Sequence, residues 1–154
     1  MITKDKIIQI QDKWSSSIIK ISSFRDNYKL CLQYTDVFLN ELYAFDVGIV
    51  LFKPTQANDE QFRFTKEKAL SYFIAGEKKV CQEDSGFALH PWKKIKFDNV
   101  AYNIENNIAI VMGNYFFTDL NDIDLKVEYT FGYKLINEKI KIFLHHSSLP
   151  FKNN

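Results

Sequence analysis

The repeat distance between apolar residues changes once along this chain, and that change constrains the fold more than any other feature. In the first half, apolar side chains recur every three or four residues, as on one face of an α-helix. From Phe87 onward they alternate with polar residues, as in a β-strand with one buried face. Helices followed by consecutive strands predict an α+β fold, with helices packed on one face of a curved antiparallel sheet.

The N-terminal pattern predicts three helices and one short strand. The apolar stripe of the first helix consists of Ile7, Ile10, Trp14, Ile18 and Ile21. A second helix ends near Ala44, and residues 47–54 (VGIVLFKP) form a short buried strand that Pro54 stops. Thr65 caps a third helix, which ends at Gly76.

The C-terminal pattern predicts a four-stranded meander. Its strands cover residues 93–104, 108–118, 124–135 and 139–148. If Asn137 and Glu138 are the central residues of the last turn, Phe131 faces Leu144 and Tyr129 faces His146. The register therefore decides which residues share a face of the sheet.

In this register the two neighbouring histidines point to opposite faces. His146 joins Tyr115, Tyr129 and Phe131 on the aromatic face that should meet the helices. The opposite face carries His145 together with Met112, Asn114, Glu128, Thr130 and Phe143. Large apolar groups among polar ones indicate that this outer face is covered, and we expect a homo-oligomer, a dimer or higher, to cover it.

The inner face supplies the candidate ligand site. Its predicted residues are Trp14, Arg63, Tyr115, Tyr129, Phe131 and His146. His146 could act as a general acid or base with Tyr129 beside it, or it could be a half-buried histidine bonded to a tyrosine for structural reasons. Trp14 could close the cavity or belong to the core, and Arg63 could bind an anion or pair with Asp59 or Glu60.

A rival polar cluster lies on the outer face. Glu128 lies beside His145 and Asn114 there, and a carboxylate near a histidine could form an acid–base pair. The alternative is a cross-strand polar ladder at a subunit interface, with Met112 and Phe143 as its apolar neighbours.

Composition excludes several classes of protein. Twenty basic residues balance nineteen acidic ones, the net charge is +1, and neither sign forms a long block. We therefore expect neither a nucleic-acid partner nor a membrane partner. Cys31 and Cys81 lie far apart, so neither a disulfide framework nor a structural zinc site is predicted. The sequence has no phosphate-cradling glycine loop and no HExxH spacing, so no metal or cofactor is expected. Without a signal-like or membrane-spanning apolar run, the chain is expected to be cytoplasmic.

Several short strings resemble a known superfamily. They are VLFKPT, ALSYF, GFALHPWKKIKFDN, AIVMGNYFFTD, VEYTFGY and IFLHHSSLPF. Together they resemble the NTF2-like, SnoaL-like superfamily, and within it a bacterial stand-alone group similar to the association domain of calcium/calmodulin-dependent protein kinase II. The resemblance covers about residues 5–151 and implies a single cone-shaped domain over residues 1–154.

The resemblance implies a pocket between the helices and the concave sheet, and self-association through the outer sheet face. The expected function is therefore a self-associating domain whose apolar, tyrosine-lined pocket holds a small organic molecule, with binding or assembly favoured over catalysis. The alternative is a SnoaL-like isomerase, cyclase or dehydratase. In that case His146 is the general base, and Tyr129 donates a hydrogen bond to a developing oxyanion.

Overall fold

Helices come first along the chain, and long strands follow. The computed structural model describes all residues 1–154. The N-terminal elements are α1 Lys4–Ser23, α2 Tyr28–Leu42, the short strand β1 Leu51–Lys53 and α3 Lys66–Ile74. A 3₁₀ turn at Phe87–Leu89 leads into β2 Trp92–Glu105, β3 Ile108–Asp119, β4 Asp124–Ile136 and β5 Lys139–Ser148. The predicted α+β class is confirmed.

Each helix begins at a polar side chain that accepts a hydrogen bond from the first turn. Thr3 accepts from the Lys6 amide, Asn27 accepts similarly at α2, and the predicted Thr65 cap is present at α3. These caps satisfy amide groups that have no partner inside the helix. They explain why the three helices begin where they do.

The sheet has the order β1-β5-β4-β3-β2. Strands β2 to β5 form the predicted antiparallel meander, and β1 adds to its edge in parallel with β5. The strand predicted over residues 47–54 is shorter, because only residues 51–53 pair with β5 and Val47 and Ile49 are exposed. This parallel pairing carries the chain that follows β1 toward the end of β5.

A β-bulge in β5 changes the predicted register. Tyr133 pairs with Ile142 as predicted, but Gly132 pairs with Leu144, so Phe143 is an extra residue in the strand. A Cβ atom at Gly132 would lie 3.0 Å from the Phe143 ring, so the glycine makes room for the bulge. One inserted residue exchanges the faces of every residue beyond it.

The main core lies between the helices and the inner face of the sheet, where 29 buried residues form one cluster. Trp14 of α1 lies within it, with six aromatic rings whose centroids are 5.8–6.1 Å from its own. These contacts hold the indole in one orientation. None of the helices combines the length and the apolar character that crossing a membrane requires.

Candidate active site

The bulge turns His145 into the core and His146 outward. Phe131 pairs with His145 and Thr130 pairs with His146, so each histidine lies on the face predicted for the other. The side chain of His145 is buried, and that of His146 is exposed. The predicted placement of His146 in the pocket, and of His145 in the outer cluster, is therefore wrong.

Both ring nitrogens of His145 have hydrogen-bond partners. Nδ1 lies 2.9 Å from the Tyr43 hydroxyl, and Nε2 lies 2.9 Å from Ser147 Oγ and 3.2 Å from the Tyr115 hydroxyl. Phe52 stacks on the imidazole at 4.6 Å, and the edge of Phe131 meets it at 4.1 Å. An imidazole held this way has a fixed orientation in a dry, aromatic environment.

A small cavity lies against this histidine. The space within it that a water-sized sphere can reach is about 10 Å³, and it is lined by Trp14, Pro54, Thr55, Tyr72, Phe73, Phe87, Tyr115 and His145. Roughly this much space holds one water molecule. The cavity therefore suits only a very small molecule.

Hydroxyl groups form the polar side of the cavity. The Tyr115 hydroxyl makes a short hydrogen bond with Ser147 Oγ, and the Gln56 amide donates to the Tyr72 hydroxyl. Burial raises the pKa of Tyr72 and that of Tyr115, although hydrogen bonding with Thr55 opposes both shifts. Both phenols therefore stay protonated at neutral pH and can donate hydrogen bonds into the cavity.

His145 itself is neutral at neutral pH. Burial lowers its pKa well below the ordinary value of about 6.5, and the nearby charge of His146 acts in the same direction. A neutral imidazole has one protonated nitrogen and one free lone pair, so it can both donate and accept a hydrogen bond.

This lowered pKa predicts a pH-dependent stability. Burial disfavours the protonated imidazole only in the folded chain, so the unfolded chain takes up this proton first as the pH falls below about 6.5. Over the interval from about pH 6.5 to 5, the free energy of unfolding therefore decreases as the pH is lowered, by at most about 1.4 kcal/mol per pH unit. We expect His145→Asn to lose less stability over this interval than the wild type in urea titrations. The exposed His146→Asn should follow the wild type. An identical pH dependence in His145→Asn and the wild type would contradict a buried neutral imidazole.

Arg63 lies outside the cavity, so its predicted ligand-binding role is wrong. The guanidinium is completely buried and makes two hydrogen bonds with the Asp84 carboxylate, at 2.7 and 2.8 Å. Its remaining N–H groups donate to Glu83 and to the carbonyl oxygens of Glu60 and Lys68. All five donors of the guanidinium are satisfied, so none remains for a ligand.

The Arg63–Asp84 pair also supports the cavity indirectly. Asp84 accepts a hydrogen bond from Ser71 at 2.5 Å, and Ser71 precedes Tyr72 in α3. Arg63 donates to the Lys68 carbonyl in the same helix, and its guanidinium lies 5.9 Å from the centre of the Tyr72 ring. The ion pair therefore fixes the helix that carries Tyr72.

The other predicted inner-face residues have mixed outcomes. Trp14 and Tyr115 line the cavity. Tyr129 and Phe131 are buried on the same face but do not line it, and the Tyr129 hydroxyl donates to Asn99. The prediction that His146 and Tyr129 form a catalytic pair is therefore wrong, because their side chains lie on opposite faces of the sheet.

The other residues predicted for the polar cluster lie on the outer face of the sheet, but His145 is not among them. Met112, Glu128, Thr130 and His146 line a shallow groove there, and Asn114 is half-buried. Phe143 is also half-buried, with Lys134 Nζ 4.5 Å from the centre of its ring. The role of this face as an interface stays a prediction.

Sequence reasoning missed four polar residues of the site, namely Tyr43, Thr55, Tyr72 and Ser147. Ser147 could have been found from His145 once the bulge was recognised, because residues two apart in a strand share a face. The other three come from the end of α2, the loop after β1 and α3, and no local pattern brings them together. Nowhere in the chain do three His, Cys, Asp or Glu side chains converge as a metal ion would require.

The fold and the site together define an NTF2-like α+β protein with a buried histidine among hydroxyl groups. A putative calcium/calmodulin-dependent protein kinase II association domain from Xanthomonas campestris superposes with a TM-score of 0.61 at 24% identity, covering 96% of this chain and 88% of that one. An NTF2-like protein of unknown function from Shewanella oneidensis has a TM-score of 0.55 at 16% identity, covering 94% and 97%. These two likenesses establish the fold alone.

Sequence comparison establishes the family. A profile described as "Metal-independent carbonic anhydrase" matches residues 5–149. A metal-independent carbonic anhydrase from Nostoc sp. is 35% identical, covering 98% of this chain and 75% of that protein. The crystal structure of the iota-carbonic anhydrase from a cyanobacterium, complexed with bicarbonate, superposes with a TM-score of 0.94 at 33% identity, covering 99% and 94%. The chain belongs to the metal-independent carbonic anhydrase family.

This membership corrects the function expected from the sequence. The expectation that binding or assembly is favoured over catalysis is wrong. The family is one of carbonic anhydrases, and so are the relatives that show membership in it. The isomerase, cyclase or dehydratase alternative is wrong on the same findings. Its proposed base, His146, also lies outside the cavity.

Proposed function

We propose that this protein catalyses the reversible hydration of carbon dioxide to bicarbonate, with His145 and its surrounding hydroxyls as the active site. One observation carries the proposal: a buried neutral imidazole, hydroxyl donors and aromatic rings meet at one very small cavity. The carbonic anhydrase relatives support it, and one of them was solved as its bicarbonate complex.

The apolar wall of the cavity suits carbon dioxide. Trp14, Phe73 and Phe87 contribute aromatic surface to one side. Carbon dioxide has no net charge and no dipole, so it loses little solvation when it enters such a site. These rings also exclude bulk water, and hydrogen bonds at the opposite wall are stronger as a result.

The polar wall suits the charge that develops during the reaction. As a water oxygen bonds to the carbon, an electron pair of one C=O bond moves onto its oxygen. The protonated Tyr72 and Tyr115 hydroxyls are placed to donate hydrogen bonds to that oxygen. Donors that are fixed in advance in a dry site stabilise such charge strongly.

The attacking water must also lose a proton. In one route the His145 imidazole accepts it, and in the other the hydroxyls pass it to an oxygen of carbon dioxide. Ser147 and Tyr115 are already hydrogen-bonded to each other and to His145 Nε2. The tautomer of His145 decides between the two routes.

Stopped-flow measurement of carbon dioxide hydration tests this proposal. We expect the wild type to accelerate hydration, and Tyr115→Phe to lower kcat about 100-fold because a donor to the developing oxyanion is lost. Tyr102→Phe, a half-buried tyrosine of β2 outside the cavity, is the matched control and should keep wild-type activity. A wild-type rate equal to the buffer blank would contradict the proposal.

We also propose that the outer sheet face joins two copies of the chain. Met112 is 59% exposed, and Ile110 on the same strand and Val100 on the neighbouring strand β2 are exposed as well. Lys126 and Glu128 supply both signs of charge on the same face, so the surface can be complementary to itself about a two-fold axis. An apolar centre with mixed charges is typical of dimer interfaces.

Light scattering coupled to size-exclusion chromatography tests this pairing. We expect a dimer for the wild type and a monomer for Met112→Glu, because two buried carboxylates would face each other near the axis. Leu120→Glu, exposed in the turn after β3, is the matched control and should remain dimeric. A monomeric wild type at micromolar concentration would contradict the proposal.

A further inference from the structure

A chain of buried hydrogen bonds begins at Trp14 and ends at the cavity. Trp14 Nε1 donates to the Tyr43 hydroxyl at 2.9 Å, and the same hydroxyl lies 2.9 Å from His145 Nδ1. All three side chains are buried. On the other side of the imidazole, Nε2 lies 2.9 Å from Ser147 Oγ, which contacts the Tyr115 hydroxyl.

The indole sets the direction of this chain. An indole N–H can only donate, so the Tyr43 oxygen accepts from Trp14. The single proton of the Tyr43 hydroxyl then has His145 Nδ1 as its acceptor. Nδ1 must therefore present a lone pair, and the proton of the neutral imidazole must be on Nε2.

The opposite tautomer would leave a buried donor without a partner. With a proton on Nδ1, the Tyr43 oxygen would receive both the indole N–H and the imidazole N–H. The O–H group of Tyr43 would then have no acceptor. A buried donor without an acceptor is costly enough to disfavour that tautomer by roughly tenfold or more. Protonation of both nitrogens is disfavoured by burial, which lowers the pKa of His145.

We propose that Trp14 and Tyr43 hold His145 as the Nε2–H tautomer, which makes Tyr43 a positioning residue and His145 a hydrogen-bond donor toward the cavity. The mechanistic part of this inference rests on the proposed carbonic anhydrase function. Every hydrogen bond from Trp14 through Tyr43 and His145 to Ser147 and Tyr115 then runs toward the cavity. Such a chain presents a donor to the oxygen of carbon dioxide on which negative charge develops.

This tautomer also settles the route of the proton. Because Nε2 already carries a proton, the imidazole has no lone pair facing the attacking water. The water oxygen bonds to carbon and one of its O–H bonds breaks, while a hydroxyl of the cavity takes that proton and passes its own to an oxygen of carbon dioxide. The product leaves as carbonic acid and ionises in water, so no base in the site stores the proton.

Nitrogen-15 NMR of protein labelled at histidine tests the tautomer without reference to activity. Three histidines give the signals, and the His145→Asn spectrum identifies those of His145. At pH 8 we expect a protonated Nε2 and an unprotonated Nδ1. A protonated Nδ1, or an equal mixture of tautomers, would overturn the proposal. If the wild type proved inactive, the proposed function would fail while this spectrum still decided the tautomer.

Tyr43→Phe tests the role of the positioning residue. Without the phenol proton, Nδ1 has no donor, so we expect a mixture of tautomers in the spectrum and a fall of about tenfold in kcat with little change in KM. Tyr133→Phe is the matched control, because Tyr133 is equally buried and its hydroxyl bonds to Gln11, away from the cavity. It should keep the wild-type tautomer and kcat. A Tyr43→Phe variant with the wild-type tautomer and kcat would refute the role of Tyr43.

Discussion

Replacing His145 by alanine should lower kcat/KM for carbon dioxide hydration by about 100-fold or more. The substitution removes the donor at Nε2 and interrupts the chain of hydrogen bonds that orients Ser147 and Tyr115. Losses of this size are usual when a fixed donor of an active site is removed. The measurement is stopped-flow hydration, and far-ultraviolet circular dichroism checks that the variant is folded.

The neighbouring histidine provides the matched control. His146 is exposed on the other face of the sheet, so His146→Ala makes the same chemical change one residue away from the site. It should keep nearly all the activity. Equal losses in the two variants, or no loss in folded His145→Ala, would contradict the assignment of His145 to the active site.

Replacing Arg63 by methionine should lower the free energy of unfolding by about 3–5 kcal/mol. The substitution leaves the buried Asp84 carboxylate with Ser71 as its remaining side-chain partner. Breaking one side of a buried ion pair is strongly destabilising because the remaining charge is uncompensated. Urea denaturation measures the change. Lys66→Met is the control, because its ion pair with Asp36 is largely exposed and should contribute less than about 1 kcal/mol.

A double variant separates the ion pair from the packing of its side chains. Arg63→Met combined with Asp84→Leu removes both charges, so it should recover part of the stability that Arg63→Met loses. If Arg63→Met lost no more stability than Lys66→Met, the buried pair would not be the support for α3 that its geometry indicates.

Local sequence patterns were sufficient to predict the helices and the meander. The apolar stripe of α1 and the alternation in β4 each report one buried face, and Thr65 marks the start of α3. Those signals depend only on residues close together in the chain. The pairing of β1 with β5 joins residues about ninety positions apart, so no local pattern records it.

The site was predicted less well because the sequence-based register lacked the bulge at Phe143, which decides the face on which each following residue of β5 lies. Tyr115 and Trp14 were placed correctly, since they precede the bulge in the sheet or lie in a helix. Beyond Phe143, each residue lies on the face opposite to its predicted one. Gly132 was the available signal, because a glycine inside a strand often marks a bulge or a close approach.

Long-range pairing also explains the error at Arg63. Its nearest acids in the sequence are Asp59 and Glu60, and pairing with those was the predicted alternative to ligand binding. The carboxylate that it binds, Asp84, lies 21 residues away and reaches it only when the chain after α3 folds back. A buried arginine with all its donors satisfied is a property of the packed structure, which a loop sequence does not reveal.

Exchange of oxygen-18 out of labelled bicarbonate, followed by mass spectrometry, tests the central claim most directly. The protein is first dialysed against a chelator and shown to hold no metal, because the site consists of imidazole and hydroxyl groups. The account predicts that the metal-free wild type and His146→Ala both accelerate the exchange, while His145→Ala does not. Exchange at the uncatalysed rate in the metal-free wild type, or undiminished exchange in His145→Ala, would contradict it.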